Sequence, residues 1–158
     1  MVVPGPSVSR PLGLLKLTRD TDRVLDGRSV ELQTEIDQLS EKLGVRSMPV
    51  GLRTNDGRNI YVADDGSYHF TFYERGQLGF DRLGNLDDLL YWYTQSLVTG
   101  QTAKSVGDRA ERFKYEYQVL SALNGEWAKR NVRETTELFR RYGQPEDISL
   151  LPDIGEPL

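Results

Sequence analysis

The chain has 158 residues, 37% of them hydrophobic and 28% charged, with a net charge of −4, no cysteine and a single histidine. A chain of this size buries roughly two thirds of its unfolded surface, so one domain over residues 1–158 is expected. The composition excludes disulfides, thiolate metal sites, iron–sulfur clusters, cysteine nucleophiles and any site needing two histidine ligands; the acidic balance disfavours duplex DNA, whose affinity comes from basic residues releasing phosphate counterions.

Residues 1–28 read as an irregular N-terminal segment. Met1–Pro6 lacks the basic and apolar regions of a secretory signal, and no run approaches the ~18 apolar residues of a membrane helix, so a cytoplasmic protein with no membrane partner is expected. Leu12, Leu14, Leu15 and Leu17 suit either a short strand or a helix start. Asp20, Asp22, Asp26 and Gly27 outline a calcium loop, but the glycine falls too late and Val24 stands where the third oxygen ligand belongs. A solvated turn is the better reading.

Residues 29–43 predict a helix capped by Ser29, with Leu32, Ile36, Leu39 and Leu43 on one stripe and Gly44 as its stop. The period then changes. Asp56-Gly57, Asp65-Gly66 and Arg75-Gly76 punctuate four alternating segments, Met48–Arg53, Asn59–Ala63, Ser67–Glu74 and Gln77–Leu83. Asp-Gly between alternating segments is a strong hairpin signal, because the favoured turn needs positive φ. A four-stranded antiparallel meander with one buried face is expected, Tyr68, Phe70 and Phe72 pointing one way and His69, Thr71 and Tyr73 the other.

Three helices follow. The first is capped by Asn85 with Asp88 at its third position and is broken by the loop Thr99-Gly100-Gln101-Thr102. The second spans about Ala103–Leu123, with Val106, Ala110, Phe113, Tyr117 and Leu120 on one face. The third, capped by Asn124, runs to Tyr142 with Ala128, Val132, Thr135, Phe139 and Tyr142 as its stripe, and is stopped by Gly143 and Pro145. Residues 143–158 hold Glu146, Asp147, Asp153 and Glu156 and no basic residue, so this tail, read as acidic and extended, accounts for the whole net charge. Strands followed by helices in blocks make the fold class α+β, a meander packed with one N-terminal and three C-terminal helices.

Side chains capable of chemistry are sparse. His69 sits mid-strand, and no G-x-S-x-G elbow accompanies it. The pairs Asp64-Asp65 and Asp87-Asp88 are explained by a turn and a helix start. Gly76-Gln77-Leu78-Gly79 lacks the third glycine of a dinucleotide fingerprint and lies between strands. Lys129, Arg130, Arg133, Arg140 and Arg141 interleave with Glu126, Glu134 and Glu137, as on a solvated helix face. No catalytic, cofactor-binding or metal-binding residue is assigned. Tyr91, Trp92 and Tyr93 are consecutive on a helix and cannot all face one core, so at least one should be partly exposed.

The segments Gly66-Ser67-Tyr68-His69-Phe70, Tyr73-Glu74-Arg75-Gly76 and Asn85-Leu86-Asp87-Asp88-Leu89-Leu90-Tyr91-Trp92, continued by Asn124-Gly125-Glu126-Trp127-Ala128-Lys129-Arg130, resemble the immunity proteins of bacterial polymorphic toxin systems. The resemblance covers about residues 30–142. It implies a non-enzymatic antitoxin that binds a cognate secreted toxin one-to-one in the producing cell. Without it, a non-catalytic cytoplasmic adaptor or regulatory protein-binding domain fits the residues as well. Three partner-binding regions are expected. Asp64, Asp65 and Glu74 would face a basic partner from the hairpin tips. Tyr91 and Trp92 would act as aromatic anchors. The uncharged loop Thr99, Gly100, Gln101 and Thr102 would enter a cleft, where the Gln101 carboxamide mimics the nicotinamide group of an NAD-hydrolysing toxin's substrate. Nucleases are the rival target.

Overall fold

A computed structural model describes residues 26–105 and 107–158; the leucines and aspartates before Asp26, and Val106, lie outside the described residues. The architecture is α+β: α1 (Gly27–Leu43), β1 (Gly57–Val62), β2 (Tyr68–Glu74), β3 (Gln77–Gly84), α2 (Leu86–Ser105), α3 (Arg109–Leu123), α4 (Gly125–Arg141) and a 3-10 helix over Pro145–Leu150. Two compact units divide between Leu90 and Tyr91, inside α2.

In the first unit, α1 starts earlier than its apolar stripe suggests. Asp26, not Ser29, is the cap: its carboxylate accepts from the Ser29 amide at 2.8 Å. Leu32, Ile36 and Leu39 are buried, and Gly44 at φ 69° closes the helix by donating to the Glu41 carbonyl.

The sheet has three strands in the order β1-β2-β3, all antiparallel, not four. The expected first strand, Met48–Arg53, is irregular, with a turn at Val50 and Gly51. Pro49 has no N–H to give a ladder, and Gly51 adopts φ 89°. Side chains take the ladder's place. The Gln33 carbonyl oxygen accepts from the Val50 amide at 2.7 Å, and Asn59 both accepts from the Thr54 amide at 2.8 Å and donates to the Thr54 carbonyl at 3.0 Å. Only the Gly51 amide reaches β1, at the Ile60 carbonyl. Gly57 has the positive φ expected of it, yet among the described residues no strand precedes it to make a hairpin.

The other two turns join strands as expected, but only one has the expected geometry. At Asp65-Gly66 the glycine alone has positive φ, 86°, and the Ala63 amide donates to the Ser67 carbonyl across a three-residue turn. Arg75 and Gly76 both have positive φ, 52° and 79°, as a two-residue hairpin turn with the right twist requires. Between them, the strand register places Ile60, Phe70, Phe72 and Phe80 on one face, and Asn59, Tyr61, His69, Thr71, Tyr73 and Asp81 on the other. Ile60 and Phe70 are fully buried, but so are Asn59 and Thr71, so the centre of both faces is covered. A bulge at Phe72/Tyr73 interrupts the β2–β3 ladder.

At the start of α2 the Asn85 side chain accepts from the Asp88 amide at 2.8 Å, while Asp88 accepts from the Asn85 amide at 3.1 Å. Asn85 caps as expected; Asp88, expected only to favour the helix N-terminus by its charge, also returns a bond and completes a reciprocal cap.

In the second unit, α2 does not break at Thr99–Thr102 but continues to Ser105. One helical glycine costs only about 1 kcal/mol, and Thr102 offsets it. Its hydroxyl meets the Thr99 carbonyl at 3.1 Å and the Glu116 carboxylate of α3 at 2.6 Å, with both side chains buried. The break falls later, where Asp108 caps α3 by accepting from the Glu111 amide; α3 is therefore shorter than the expected Ala103–Leu123, and Ala110 is exposed. Asn124 accepts from the Glu126 and Trp127 amides to open α4. Trp127, Ala128, Val132, Thr136 and Phe139 form its buried stripe. Thr136 replaces Thr135 in that stripe, and Tyr142 is exposed.

The acidic tail is not simply extended. It forms the 3-10 helix and buries Ile154. Asp147 pairs with Arg109 of α3 at 2.9 Å, and Glu156 holds Arg133 of α4 through two bonds of 2.7 and 3.0 Å. Half of its carboxylates are thus matched by local arginines, which a charge count by segment does not reveal.

Candidate functional site

The hairpin-tip acids do not converge. Asp64 and Asp65 lie in the β1–β2 turn and Glu74 at the far end of β2, about 20 Å away for a strand of this length. Asp65 is also engaged. It accepts from the Ser67 hydroxyl at 2.6 Å and from the Ser67 amide at 3.0 Å, bonds that hold its carboxyl below the usual range.

Tyr91 is not a surface anchor. It is 1% exposed, packs against Trp127 at 6.4 Å and donates its hydroxyl to Glu134 at 2.8 Å. Arg130 lies 4.2 Å over its ring and is itself paired with Glu134. Tyr93 is also buried, leaving Trp92 half-exposed, as three consecutive helical aromatics require. Thr99, Gly100 and Gln101 are exposed on α2 and Thr102 is buried. Being helical, the stretch has no loop to insert into a cleft.

The sheet carries the more informative cluster, on the face of Asn59, Tyr61, Thr71 and Tyr73. With Arg53, Thr54 and Asn55 these residues line a solvent-open cleft of about 320 Å³. Arg53 lies flat over the Tyr61 ring at 3.7 Å, and Tyr61 stacks on His69 at 4.8 Å with the rings 5° from parallel. Burial pushes the Tyr61 phenol up, against the pull of the Arg53 guanidinium, so its hydroxyl stays neutral at physiological pH and able to donate.

His69 belongs to a chain that spacing alone does not reveal. Its Nε2 is 3.0 Å from the Ser67 hydroxyl and its Nδ1 is 3.0 Å from Asp81. The order Ser, His, Asp is that of a nucleophilic triad, but the proton placement differs. Ser67 has one hydroxyl proton and Asp65 is its nearer, charged acceptor at 2.6 Å. The Ser67 oxygen then meets the imidazole as an acceptor, so His69 is not placed to take the Ser67 proton. The chain fixes the ring on which Tyr61 stacks. Ser67 and His69 stand two apart on one strand face and Asp81 on the neighbouring strand, which explains why no local motif announces them.

Among the described residues no group of three or more His, Cys, Asp or Glu side chains comes together as a metal site, and no helix is long and apolar enough to cross a membrane.

Residues 64–137 match the family model Imm63, Immunity protein 63. The matched segment runs from the β1–β2 turn through β2, β3, α2 and α3 into α4. It supports an immunity protein family of polymorphic toxin systems, in agreement with the resemblance carried by the Tyr-rich strand and the Asn85 helix. No curated protein and no solved structure matches the chain.

Proposed function

We propose that this chain, a match to an immunity-protein family over residues 64–137, neutralises its cognate toxin by forming a one-to-one complex that covers the toxin's active site. The family match is the observation that carries this reading. The complex forms in the cytoplasm of the producing cell, needs no cofactor and involves no turnover by the chain itself. An NAD-hydrolysing toxin is the target class favoured here, on the primary carboxamide that Gln101, on the exposed surface of α2 rather than on an inserted loop, shares with nicotinamide. The net charge of −4 favours a toxin with a basic surface and disfavours nucleic acid as a partner.

Co-expression with the product of the adjacent reading frame tests the proposal. The expected result is rescue of growth, a 1:1 complex by light scattering, and a cellular NAD pool that collapses with toxin alone and is preserved with both proteins. Degraded nucleic acid with intact NAD would move the target to the nucleases. Failure to rescue or to bind would overturn the immunity function for that pair. Gln101→Ala and Gln101→Glu are expected to weaken protection; equal protection by both would remove Gln101 from the interface.

A further inference from the structure

The clamp that satisfies the Thr54 backbone also shapes the sheet cleft. Asn59 is a buried amide on the edge strand β1, 2% exposed, where an apolar residue would cost nothing in desolvation. Its carboxamide is spent on one task, gripping the Thr54 backbone from both sides, with a weaker contact to the Thr71 hydroxyl at 3.4 Å. The Thr54 hydroxyl adds a bond to the Asp56 carbonyl at 2.7 Å. This clamp sets the residue before it, Arg53, over Tyr61. The His69 chain fixes Tyr61 from its other side. Arg53 is therefore held in place before any partner arrives, which lowers the ordering cost of binding.

Arg53 is also uncompensated. Among the described residues its guanidinium has no ion pair or hydrogen bond, only the Tyr61 ring. Nearby carboxylates are engaged elsewhere: Asp56 faces the Arg75 amide, Asp81 faces His69, and Asp65 holds Ser67. Around the guanidinium, the Tyr61 and Tyr73 hydroxyls and the Asn55 amide line the same cleft, and none has a hydrogen-bond partner among the described residues. A cationic fork beside three neutral polar groups matches a carboxylate. On the same face, Leu78 and Leu83 of β3 stand opposite Tyr73 and His69 and are 57% and 61% exposed. An Arg–Tyr centre beside exposed leucines is the composition of a protein-binding surface.

We propose that this cleft receives an aspartate or glutamate side chain of the partner toxin, with Arg53 as its ion-pair partner and Leu78 and Leu83 as the apolar margin. The assignment rests on the immunity reading and places the contact on sheet residues that are not among the partner-binding residues expected from the sequence. A single carboxylate fits the site's charge better than a polyanion does. Asp56 and Glu74 adjoin the cleft residues Asn55 and Tyr73 in the chain, and Asp81 acts on the Tyr61 phenol, so a nucleic acid or phosphate-rich ligand is disfavoured, while one acidic side chain on an otherwise basic protein is admitted.

The test uses the full chain and the adjacent-frame toxin, its catalytic activity silenced for purification. The parent, Arg53→Glu, Arg53→Ala and Tyr73→Phe are compared by calorimetry, with far-UV circular dichroism and melting temperature as the folding check. The expected result is that Arg53→Glu weakens binding by about a hundredfold or more, Arg53→Ala by less and Tyr73→Phe by a few-fold, all with parental melting curves. Replacing toxin surface Asp and Glu residues by Lys should identify one change that restores binding to Arg53→Glu. If the parent binds and Arg53→Glu binds equally well, the cleft is not the contact and the immunity reading stands. Absence of binding by the parent overturns both.

Discussion

Two arginine–tyrosine pairs, one in each unit, show how the same residue types serve different ends. In the helical unit Arg130 lies over Tyr91, and both give their hydrogen bonds to Glu134. In the sheet unit Arg53 lies over Tyr61, and neither the guanidinium nor the phenol hydroxyl has a hydrogen-bond partner among the described residues. The first pair is a closed circuit of hydrogen bonds around a buried ring; the second is open at a cleft. Residue type and aromatic content point to Tyr91 as an anchor, whereas unspent hydrogen-bonding capacity points to Arg53.

The largest effect should come from breaking the closed circuit. Tyr91→Ala removes a fully buried ring packed on Trp127 and should cost about 3–5 kcal/mol in urea denaturation. Tyr91→Phe, which removes only the hydroxyl facing Glu134, should cost about 1 kcal/mol. Arg53→Ala should stay within about 0.5 kcal/mol of the parent. A stability loss for Arg53→Ala as large as that for Tyr91→Phe would make both pairs structural and end the contrast.

The next test concerns the end of α2, where a loop was expected. Thr102→Val leaves the buried Glu116 carboxylate without its hydroxyl donor and should destabilise by about 2 kcal/mol. Gly100→Ala should do the opposite. An added Cβ meets nothing within 4 Å, and alanine in a helix interior is favoured over glycine by about 1 kcal/mol. Loss of stability in Gly100→Ala would mean that the helix does not persist through residue 100.

These two units also separate what was legible in the sequence from what was not. The caps Asn85, Asn124 and Gly44 and the Arg75-Gly76 turn are legible, because each acts through its own backbone neighbours; the caps Asp26 and Asp108 are not, because the helices they open begin away from where the apolar stripes suggest. The missing first strand was not, because Gln33 and Asn59 satisfy that backbone from 17 and 5 residues away. The helical course of Thr99–Thr102 depends on Glu116, 14 residues on. The cleft was illegible for the same reason: Arg53 ends the segment that was read as a strand, and only the Asn59 clamp turns it over Tyr61. The acidic tip residues were found but not their separation, since a meander sends alternate turns to opposite ends.

Whether the units melt together tests the expectation of one domain. Both tryptophans, Trp92 and Trp127, lie in the helical unit, so their fluorescence follows that unit alone, while far-UV circular dichroism follows both. One cooperative domain requires coincident transitions. A fluorescence midpoint displaced from the dichroism midpoint would divide the chain into two domains.

The smallest effects are electrostatic, and they too differ between the units. Asp26 and Asp65 in the sheet unit are held below the ordinary carboxylate range, Asp26 by the Ser29 amide and Asp65 by the Ser67 hydroxyl and amide. Glu156 in the helical unit is lowered by its hydrogen bonds to Arg133, and the Arg133 guanidinium is raised in turn. A carboxylate lowered in the folded state binds fewer protons there than in the unfolded chain. Its contribution is therefore complete above the unfolded value near 4 and is lost as pH falls through the lower folded value. The melting temperature should be flat with respect to these groups from pH 7 to 5 and decline below about pH 4. All three groups are solvent-exposed, so each change is small. Salt distinguishes them. The Arg133–Glu156 pair is an exposed ion pair whose attraction weakens as ionic strength rises, whereas Asp65 is held by neutral donors. At 0.5 M salt, about 4 Å in screening length, Glu156→Gln should lose most of its effect on the melting temperature and Asp65→Asn should keep its own. Equal salt sensitivity of the two variants would show that the Asp65 turn depends on longer-range charge rather than on Ser67.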